Sequence, residues 1–263
     1  MAIRSILLVM IMLLTACTTS PTGRQQLLLV TDRQMQQMGI TAFQQMKQEL
    51  PATRDNQTRD YVNCVANAII RQLPDGERQQ WEVVVFEDEN ANAFALPGGK
   101  IGVHTGLLKV AENQDQLATV IAHEVAHVLA QHGGERVSQQ LATQIGMDLA
   151  GAMAGGDPAT RRQLLGVLGL GAQYGILLPY SRAHESEADR FGLELMARAG
   201  FDPRASVELW QNMKAAGGAA PPELLSTHPA PDTRIRDLDN QIPRIMPLYN
   251  DAVKKRGAPA CSR

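Results

Sequence analysis

The 263-residue sequence is poor in aromatic residues (4%), in cysteine (3 residues) and in net charge (-2 at pH 7). A near-neutral chain whose only basic block is Lys254-Lys255-Arg256 lacks the electrostatic footprint of a nucleic-acid-binding protein. Intrinsic disorder is excluded too, because it requires low hydrophobicity and high net charge, whereas 44% of these residues are hydrophobic. No fixed repeat period occurs, which excludes solenoid architectures. The remaining class is an ordinary globular protein, long enough to be an enzyme.

The sequence contains two apolar regions, Ile6 to Leu14 and residues 142–178, and neither is predicted to span a membrane. Ile6 to Leu14 would rise only about 14 Å as a helix, against a bilayer core of about 30 Å. Charged residues such as Asp148 and Asp157 interrupt the second region, residues 142–178, which we interpret as a mobile lid or a membrane-facing hairpin. The first region follows a basic residue and precedes small residues, so residues 1–16 are predicted to be a secretory signal peptide.

The segment Leu14-Thr15-Ala16-Cys17 resembles the bacterial lipobox, in which the cysteine is acylated and becomes the first residue. Two or three acyl chains on Cys17 would provide stable membrane anchoring. Thr18, where inner-membrane lipoproteins carry Asp, favours the outer membrane. The sequence thus predicts a lipid-anchored tether, residues 17–30, in an oxidising periplasm.

The two other cysteines, Cys64 and Cys261, form an even pair in this oxidising compartment, which favours a disulfide. The alternative is two free thiols, with Cys64 buried in a helix and Cys261 loose near the carboxyl end.

The hydrophobic pattern predicts a mainly helical α+β domain, residues 31–245, followed by a tail, residues 246–263. A small three-stranded sheet is predicted from Trp81 to Phe86, from Ala93 to Leu96 and from Ile101 to Val103. Pairs of glycines, among them Gly133-Gly134, are expected to mark helix boundaries. The predicted helices cover residues 31–50, 54–72, 114–132, 135–153, 158–178, 181–199, 203–215 and 232–241.

The predicted strand around Ala93 precedes Pro97, which cannot donate to a sheet ladder and therefore suits an edge strand. An open edge is where an extended peptide can add as another strand. A sheet that only supports the helices is the alternative.

The predicted helix of residues 114–132 contains the motif His-Glu-Val-Ala-His at positions 123–127. At about 100° per residue, His123 and His127 lie about 40° apart on one face, where two imidazoles can share a tetrahedral Zn²⁺. Glu124 is rotated by about 100°, which suits a general base for a zinc-activated water better than a ligand. Histidines on a structural helix are the alternative interpretation.

A catalytic zinc needs a third protein ligand, and the segment from Ser181 to Gly192 offers candidates. Glu185 and Asp189 share one helix face, whereas Glu187 points away. If Glu185 binds the metal, Asp189 can accept the N–H of a ligating histidine. His184 is the competing ligand.

The HEVAH motif, followed by SRAHESEADRFG, resembles the gluzincin metallopeptidase family of the CAAX prenyl protease and HtpX, especially its BepA- and LoiP-like periplasmic lipoprotein branch. The resemblance implies a zincin-like helical protease domain with the small sheet beside the active-site helix. It implies one zinc per chain, substrate alignment along Asn92, Ala93, Phe94 and Ala95, and a histidine, His228, that can approach the metal and hold the enzyme latent. By the same resemblance the metal ligands are His123, His127 and Glu185, the general base and acid is Glu124, and Asp189 supports a ligand.

An alternative role for His228 is a plain turn histidine before Pro229, and His104 and His132 are interpreted as structural. Arg182, Arg234 and Tyr180 are unranked candidates for stabilising the oxyanion. Unlike the membrane-embedded members, this sequence has no series of transmembrane helices. Unlike BepA, it has only about 25 residues after Leu238 and so no tetratricopeptide repeats.

The sequence therefore predicts a zinc metalloendopeptidase, anchored to the outer membrane and facing the periplasm, that cuts unfolded or unassembled envelope proteins. The alternatives are a chaperone or assembly factor that uses the same cleft, and a lipoprotein with a purely structural role.

Overall fold

The computed structural model describes residues 17–78, 81–153, 181–216, 224, 228 and 232–263. The described residues form small sheets and a larger set of helices, in agreement with the predicted mainly helical α+β class. The strands are β1 (Cys17–Thr19), β2 (Gln25–Leu27), β3 (Glu82–Phe86), β4 (Ala93–Leu96) and β5 (Lys100–His104). The helices are α1 (Asp32–Glu49), α2 (Asn56–Ile70), α3 (Asp75–Arg78), α4 (Gln114–Leu129), α5 (His132–Met153), α6 (Arg182–Ala199), α7 (Ala205–Ala216) and α8 (Asp232–Arg256), with a 3₁₀ turn at Thr105–Lys109.

Side-chain caps fix the starts of four of these helices. Thr31 and Gln34 form a reciprocal capping box at α1, and Asp55 accepts two backbone N–H groups at α2. Asn113 and Ser181 accept backbone N–H groups at the starts of α4 and α6. Because each cap satisfies N–H groups that have no partner inside the helix, these polar residues set where the helices begin.

The three-stranded sheet has the order β3-β5-β4, with β3 parallel and β4 antiparallel to the central β5. β4 is therefore an edge strand, as Pro97 predicts. One face of the sheet carries a small aromatic cluster, in which Phe43 of α1 packs edge-on against Phe86 and Phe94. The opposite face packs against α4, which places this helix beside the edge strand.

Helix α4 lies at the centre of the main core and has its most extensive contacts with α6. The two helices approach closely at Gly192, where an added Cβ would lie 3.0 Å from the backbone nitrogen of His123. Ala188, one turn earlier on α6, is fully buried. The small residues of α6 thus bring its acidic residues to the histidines of α4, as the sequence predicts.

The predicted boundary between α4 and α5 was wrong in its position and its cause. α4 ends at Leu129, and the chain turns at Gln131, a non-glycine residue with a positive φ of 55°. Gly133 and Gly134 lie inside the first turn of α5, where an added Cβ would come within 3.7 Å of the Met35 side chain at Gly133 and within 3.5 Å of a Leu28 methyl at Gly134. Both distances are ordinary van der Waals contacts, so the glycine pair neither ends a helix nor is required by close packing.

The last helix is much longer than the predicted segment of residues 232–241. α8 continues to Arg256 through Pro243 and Pro247, and it crosses the predicted boundary between domain and tail at residue 245. Ile245 and Ala252 are buried. The packing of this apolar face outweighs the backbone hydrogen bonds that the two prolines remove.

The predicted tail and the predicted tether both have defined contacts, and the tail contains the disulfide that the even pair of cysteines favours. Cys261, in the predicted tail, forms a disulfide with Cys64 of α2, with 5.7 Å between their Cα atoms. In the predicted tether, β1 and β2 form a hairpin, and the buried side chain of Gln26 donates to the Ala130 carbonyl oxygen at 2.5 Å. The predicted helix of residues 158–178, and most of the predicted lid, lie outside the described residues. No helix within the described part of the chain is long and apolar enough to cross a membrane.

Candidate metal centre

Four buried side chains meet between α4 and α6, and each can present one ligand atom to a metal ion. They are His123 and His127 from α4, Glu185 from α6, and His228, with ligand atoms that all lie within 4.8 Å of one another. The Nε2 atoms of the two α4 histidines are 3.0 Å apart, and each lies 3.4 Å from a carboxylate oxygen of Glu185. The three residues predicted as ligands are thus brought together.

His228 completes the cluster from outside these two helices. Its Nδ1 lies 2.9 Å from Oε1 of Glu185 and 3.3 Å from Nε2 of His123. Its Nε2 lies 3.4 Å from Oε1 of Glu124. This histidine therefore contacts both a predicted ligand and the predicted general base.

Asp189 lies behind His123, as the sequence predicts. Its Oδ1 is 3.0 Å from Nδ1 of His123, so the Nδ1–H of that imidazole can be donated to the carboxylate while Nε2 faces the cluster. A carboxylate in this place fixes both the tautomer and the orientation of a ligating histidine.

Arg234 of α8 is held by the carboxylates around the cluster. Its Nε donates to Asp189 at 2.7 Å, its NH1 donates to Glu185 at 2.8 Å, and its guanidinium lies 3.9 Å from the centre of the Trp210 ring. Of the three oxyanion candidates, Arg234 is thus committed to two carboxylates, Arg182 is exposed, and Tyr180 lies outside the described residues. The direct role of Arg234 is to compensate buried negative charge.

Burial and neighbouring charges shift the pKa values of the cluster in opposite directions. Burial and the Arg234 charge lower the pKa of His123, but the carboxylates of Asp189 and Glu185 outweigh them and raise it to about 9. Burial lowers the pKa of His127 well below its ordinary value. For Glu185, hydrogen bonds from the three histidines outweigh burial and hold its pKa far below the ordinary value. The glutamate is therefore an anion, as a metal ligand must be.

Glu124 is buried beside the cluster, and its carboxylate is aligned with the edge strand. The backbone N–H of Ala95 in β4 hydrogen-bonds to this carboxylate, whereas Oε1 has no hydrogen-bond partner among the described residues. Burial raises the pKa of Glu124, and the charges of His228 and His123 offset this only in part. A raised pKa suits a carboxylate that both accepts and returns a proton near neutral pH.

The four residues predicted to align a substrate lie on different sides of β4. Ala95 adjoins Glu124 and also lines an apolar cavity of about 600 Å³ that extends past His127 to Phe191. Phe94 faces the other side of the sheet and packs in the aromatic cluster. Asn92 and Ala93 are buried, and the carbonyl of Asn92 accepts the N–H of His104 in the sheet.

His132, interpreted as structural, is not part of the metal cluster, but it lies directly behind one of the candidate ligands. Because α4 ends before it, His132 belongs to α5, and its Nδ1 lies 2.9 Å from Nδ1 of His127. Its Nε2 lies 3.1 Å from Oε2 of Glu187, which points away from the metal cluster as predicted. His184, the competing ligand, instead meets Glu135 at 3.0 Å. No sequence signal predicts the contact between His132 and His127, because this contact depends on the turn at Gln131.

Comparisons with known proteins agree with this geometry. The profile of peptidase family M48 matches residues 56–242, which include all the ligand candidates. The chain is 40% identical over 166 residues to the mitochondrial metalloendopeptidase OMA1 of Schizosaccharomyces pombe, covering 62% of this chain and 47% of that protein. It is 30% identical over 216 residues to the β-barrel assembly-enhancing protease of Yersinia pestis, covering 80% and 44%, and 29% identical over 222 residues to that of Escherichia coli, covering 82% and 45%.

The chain spans about half the length of these curated relatives. The family profile, in contrast, matches more than half of the chain and contains the motif helix, the acidic helix and the first part of α8. The buried cluster of two histidines and a glutamate provides the metal-binding chemistry that a metallopeptidase requires. The chain belongs to peptidase family M48.

Proposed function

We propose that this chain is a zinc-dependent metalloendopeptidase, with His123, His127 and Glu185 as the zinc ligands. The observation that carries the proposal is the spacing of their ligand atoms, 3.0 to 3.4 Å. Tetrahedral zinc with bonds of about 2.0 to 2.1 Å requires ligand atoms about 3.3 Å apart, so small shifts suffice to bind the metal. The nitrogen and carboxylate ligands are those that catalytic zinc takes in proteins.

Zinc bound there would supply a Lewis acid that lowers the pKa of a water molecule and polarises the substrate carbonyl. Glu124, buried beside the centre, would take the proton of that water and return it to the leaving amine. Glu185 and the two histidines hold their ligand atoms in place, and Asp189 keeps the Nε2 of His123 turned towards the centre. An extended peptide would add to the edge of β4 that has no partner strand among the described residues, where Ala95 lies beside Glu124.

The position of His228 supports a role in latency. Its Nδ1 lies within bonding range of the same centre as the three ligands, and its Nε2 faces Glu124. As a fourth protein ligand it would occupy the position that water requires, so that activity depends on displacing this histidine.

We also propose that the protein acts in the cell envelope, anchored to the outer membrane through acylated Cys17, and that it cuts unfolded or unassembled envelope proteins. The lipobox-like segment before Thr18 supports the anchor. The similarity to β-barrel assembly-enhancing proteases supports the substrate class. Membrane fractionation of the wild-type chain and of Cys17→Ser tests the anchor: release of only the variant is expected, and equal release of both would refute it.

The decisive experiment compares the full chain with Glu124→Gln for zinc content and casein cleavage. One zinc per chain in both proteins, with cleavage lost only in the variant, is expected, because the amide keeps the shape of the carboxylate but cannot take a proton. A variant that still cleaves would refute the role of Glu124. A Glu124→Gln protein that binds zinc and still complements a deletion strain would instead support a chaperone.

A further inference from the structure

The segment Ser20 to Gln26, here called the N-terminal strap, packs against the side of α5 and α6 that lies beyond His127. Its Arg24 donates to Glu187 of α6 at 2.6 Å and to both carboxylate oxygens of Glu135 of α5 at 2.6 and 2.9 Å. The hydroxyls of Ser20 and Thr22 donate to the second oxygen of Glu187. The strap thus supplies most of the donors that satisfy this buried carboxylate.

From Glu187 the contacts continue to the metal centre in two hydrogen bonds. Oε2 of Glu187 lies 3.1 Å from Nε2 of His132, and Nδ1 of His132 lies 2.9 Å from Nδ1 of His127. Nε2 of His127 faces the other candidate ligands.

The direction of these hydrogen bonds follows from the chemistry of a ligating imidazole. If His127 binds a metal through Nε2, its proton is on Nδ1 and must be donated. His132 then accepts through Nδ1 and carries its own proton on Nε2, which it donates to Glu187. In this arrangement each of the two imidazole N–H groups faces an acceptor. The anionic Glu187, paired with Arg24, can only accept, so it favours the tautomer of His132 that donates through Nε2.

We propose that the N-terminal strap is a positioning element of the metal centre, and that it sets the tautomer and orientation of His127 through Glu187 and His132. The inference rests on the proposed function, since it requires a metal at His127. The two zinc histidines are then supported differently: His123 contacts Asp189 directly, whereas the support for His127 extends to the strap. Because the strap begins three residues after Cys17, the proposed membrane anchor is connected to a zinc ligand by continuous contacts.

The test measures the zinc dissociation constant of the full chain by competition with a chromophoric chelator. Loss of an outer partner of a ligating histidine weakens metal binding by about 10- to 100-fold. Glu187 contacts His127 through His132, so the loss in Glu187→Gln should be at the lower end of that range, about 10-fold. Arg24→Met should weaken binding in the same direction, and Arg24→Lys should restore part of the affinity. The visible absorption of the Co²⁺-loaded protein should change in Glu187→Gln, because the orientation of one ligand changes.

Arg190→Met is the matched control. Arg190 also lies on α6 and donates to the strap, at the Thr22 carbonyl, but it contacts neither Glu187 nor His132 in the hydrogen bonds described. Its zinc affinity should equal that of the wild type. Thermal unfolding of each metal-free variant separates a change at the metal from a loss of folding, and Arg24→Met, at a partly exposed residue, keeps the test valid if Glu187→Gln does not fold.

Two outcomes would overturn the inference in different ways. If the wild type binds one zinc and both Glu187→Gln and Arg24→Met bind it within twofold of the wild-type affinity, the role of the strap is refuted and the peptidase assignment stands. If the wild type binds no zinc, the proposed function and the inference fail together.

Discussion

Replacing Arg234 by methionine should strongly destabilise the metal-free protein. The guanidinium is 5% exposed and lies between two carboxylates, Asp189 and Glu185, whose exposures are 7% and 6%. Methionine keeps most of the volume and the contact with the Trp210 ring, but it leaves both anions without this cation. The experiment therefore measures charge compensation and not packing.

The magnitude follows from the cost of breaking a buried ion pair by removing one partner, which is about 3 to 5 kcal/mol. In a chain of this size, 1 kcal/mol corresponds to a change of about 2 to 4 °C in Tm, so the Tm should fall by about 6 to 20 °C. Arg234→Lys should lose less, because lysine keeps the charge but cannot bridge two carboxylates with a planar fork of donors.

Thermal unfolding, followed by circular dichroism at neutral pH with a chelator present, tests this prediction. Arg204→Met is the control, because Arg204 is exposed and pairs only with the surface residue Asp202 among the ion pairs described. The Tm of the control should match that of the wild type. A fall of less than about 2 °C in Arg234→Met would refute the reasoning, since the two buried carboxylates would then not depend on this arginine.

Four further changes test separate parts of the structure. His228→Ala should raise casein cleavage, and unchanged or lost activity would count against latency. The double change Cys64→Ser and Cys261→Ser opens a loop of 197 residues and should cost up to about 5 kcal/mol of unfolding free energy, whereas two free thiols in a titration of the native protein would contradict the disulfide. Gly192→Ala should lower zinc affinity and Tm together, because its Cβ would press on the His123 backbone; an unchanged Tm would show that α6 can shift. Burial raises the pKa of Asp115 in the folded protein above its ordinary value of 3.8, so the free energy of unfolding falls as the pH rises from 3.8 to the folded-state pKa. The Tm of Asp115→Asn relative to that of the wild type should therefore increase from pH 3.8 to neutrality. A constant difference would contradict this sign.

The sequence predicts the centre of the site from helical periodicity together with the family resemblance. His123 and His127 are one turn apart on α4, and Glu185 and Asp189 are one turn apart on α6, so each pair shares a face before any packing is known. The small side chain at Gly192 then indicates close approach of the two helices. Periodicity thus shows which residues share a face, whereas the choice of Glu185 over His184 as the third ligand comes from the family resemblance.

The supporting residues from other elements could not be predicted in this way. The predicted helix of residues 114–132 carries His132 on a different face from His127, whereas α4 ends at Leu129 and the turn at Gln131 brings His132 against His127. Arg234 lies 45 residues after its partner Asp189 and on a different helix, so no local pattern pairs the two. Both contacts depend on tertiary packing, which the local pattern does not contain.

The acidic residues of α6 explain why the N-terminal strap and helix α8 both pack at this site. Glu185, Glu187 and Asp189 are all buried within five residues, and such a concentration of anions is unstable without cations. Arg234 of α8 compensates the negative charge of Glu185 and Asp189 on one face of α6. Arg24 of the N-terminal strap compensates the charge of Glu187 on the opposite face. Because both arginines come from segments outside the helices that carry the ligands, α6 can be buried at low cost only after these segments have docked. The metal centre should therefore depend on the docking of both segments.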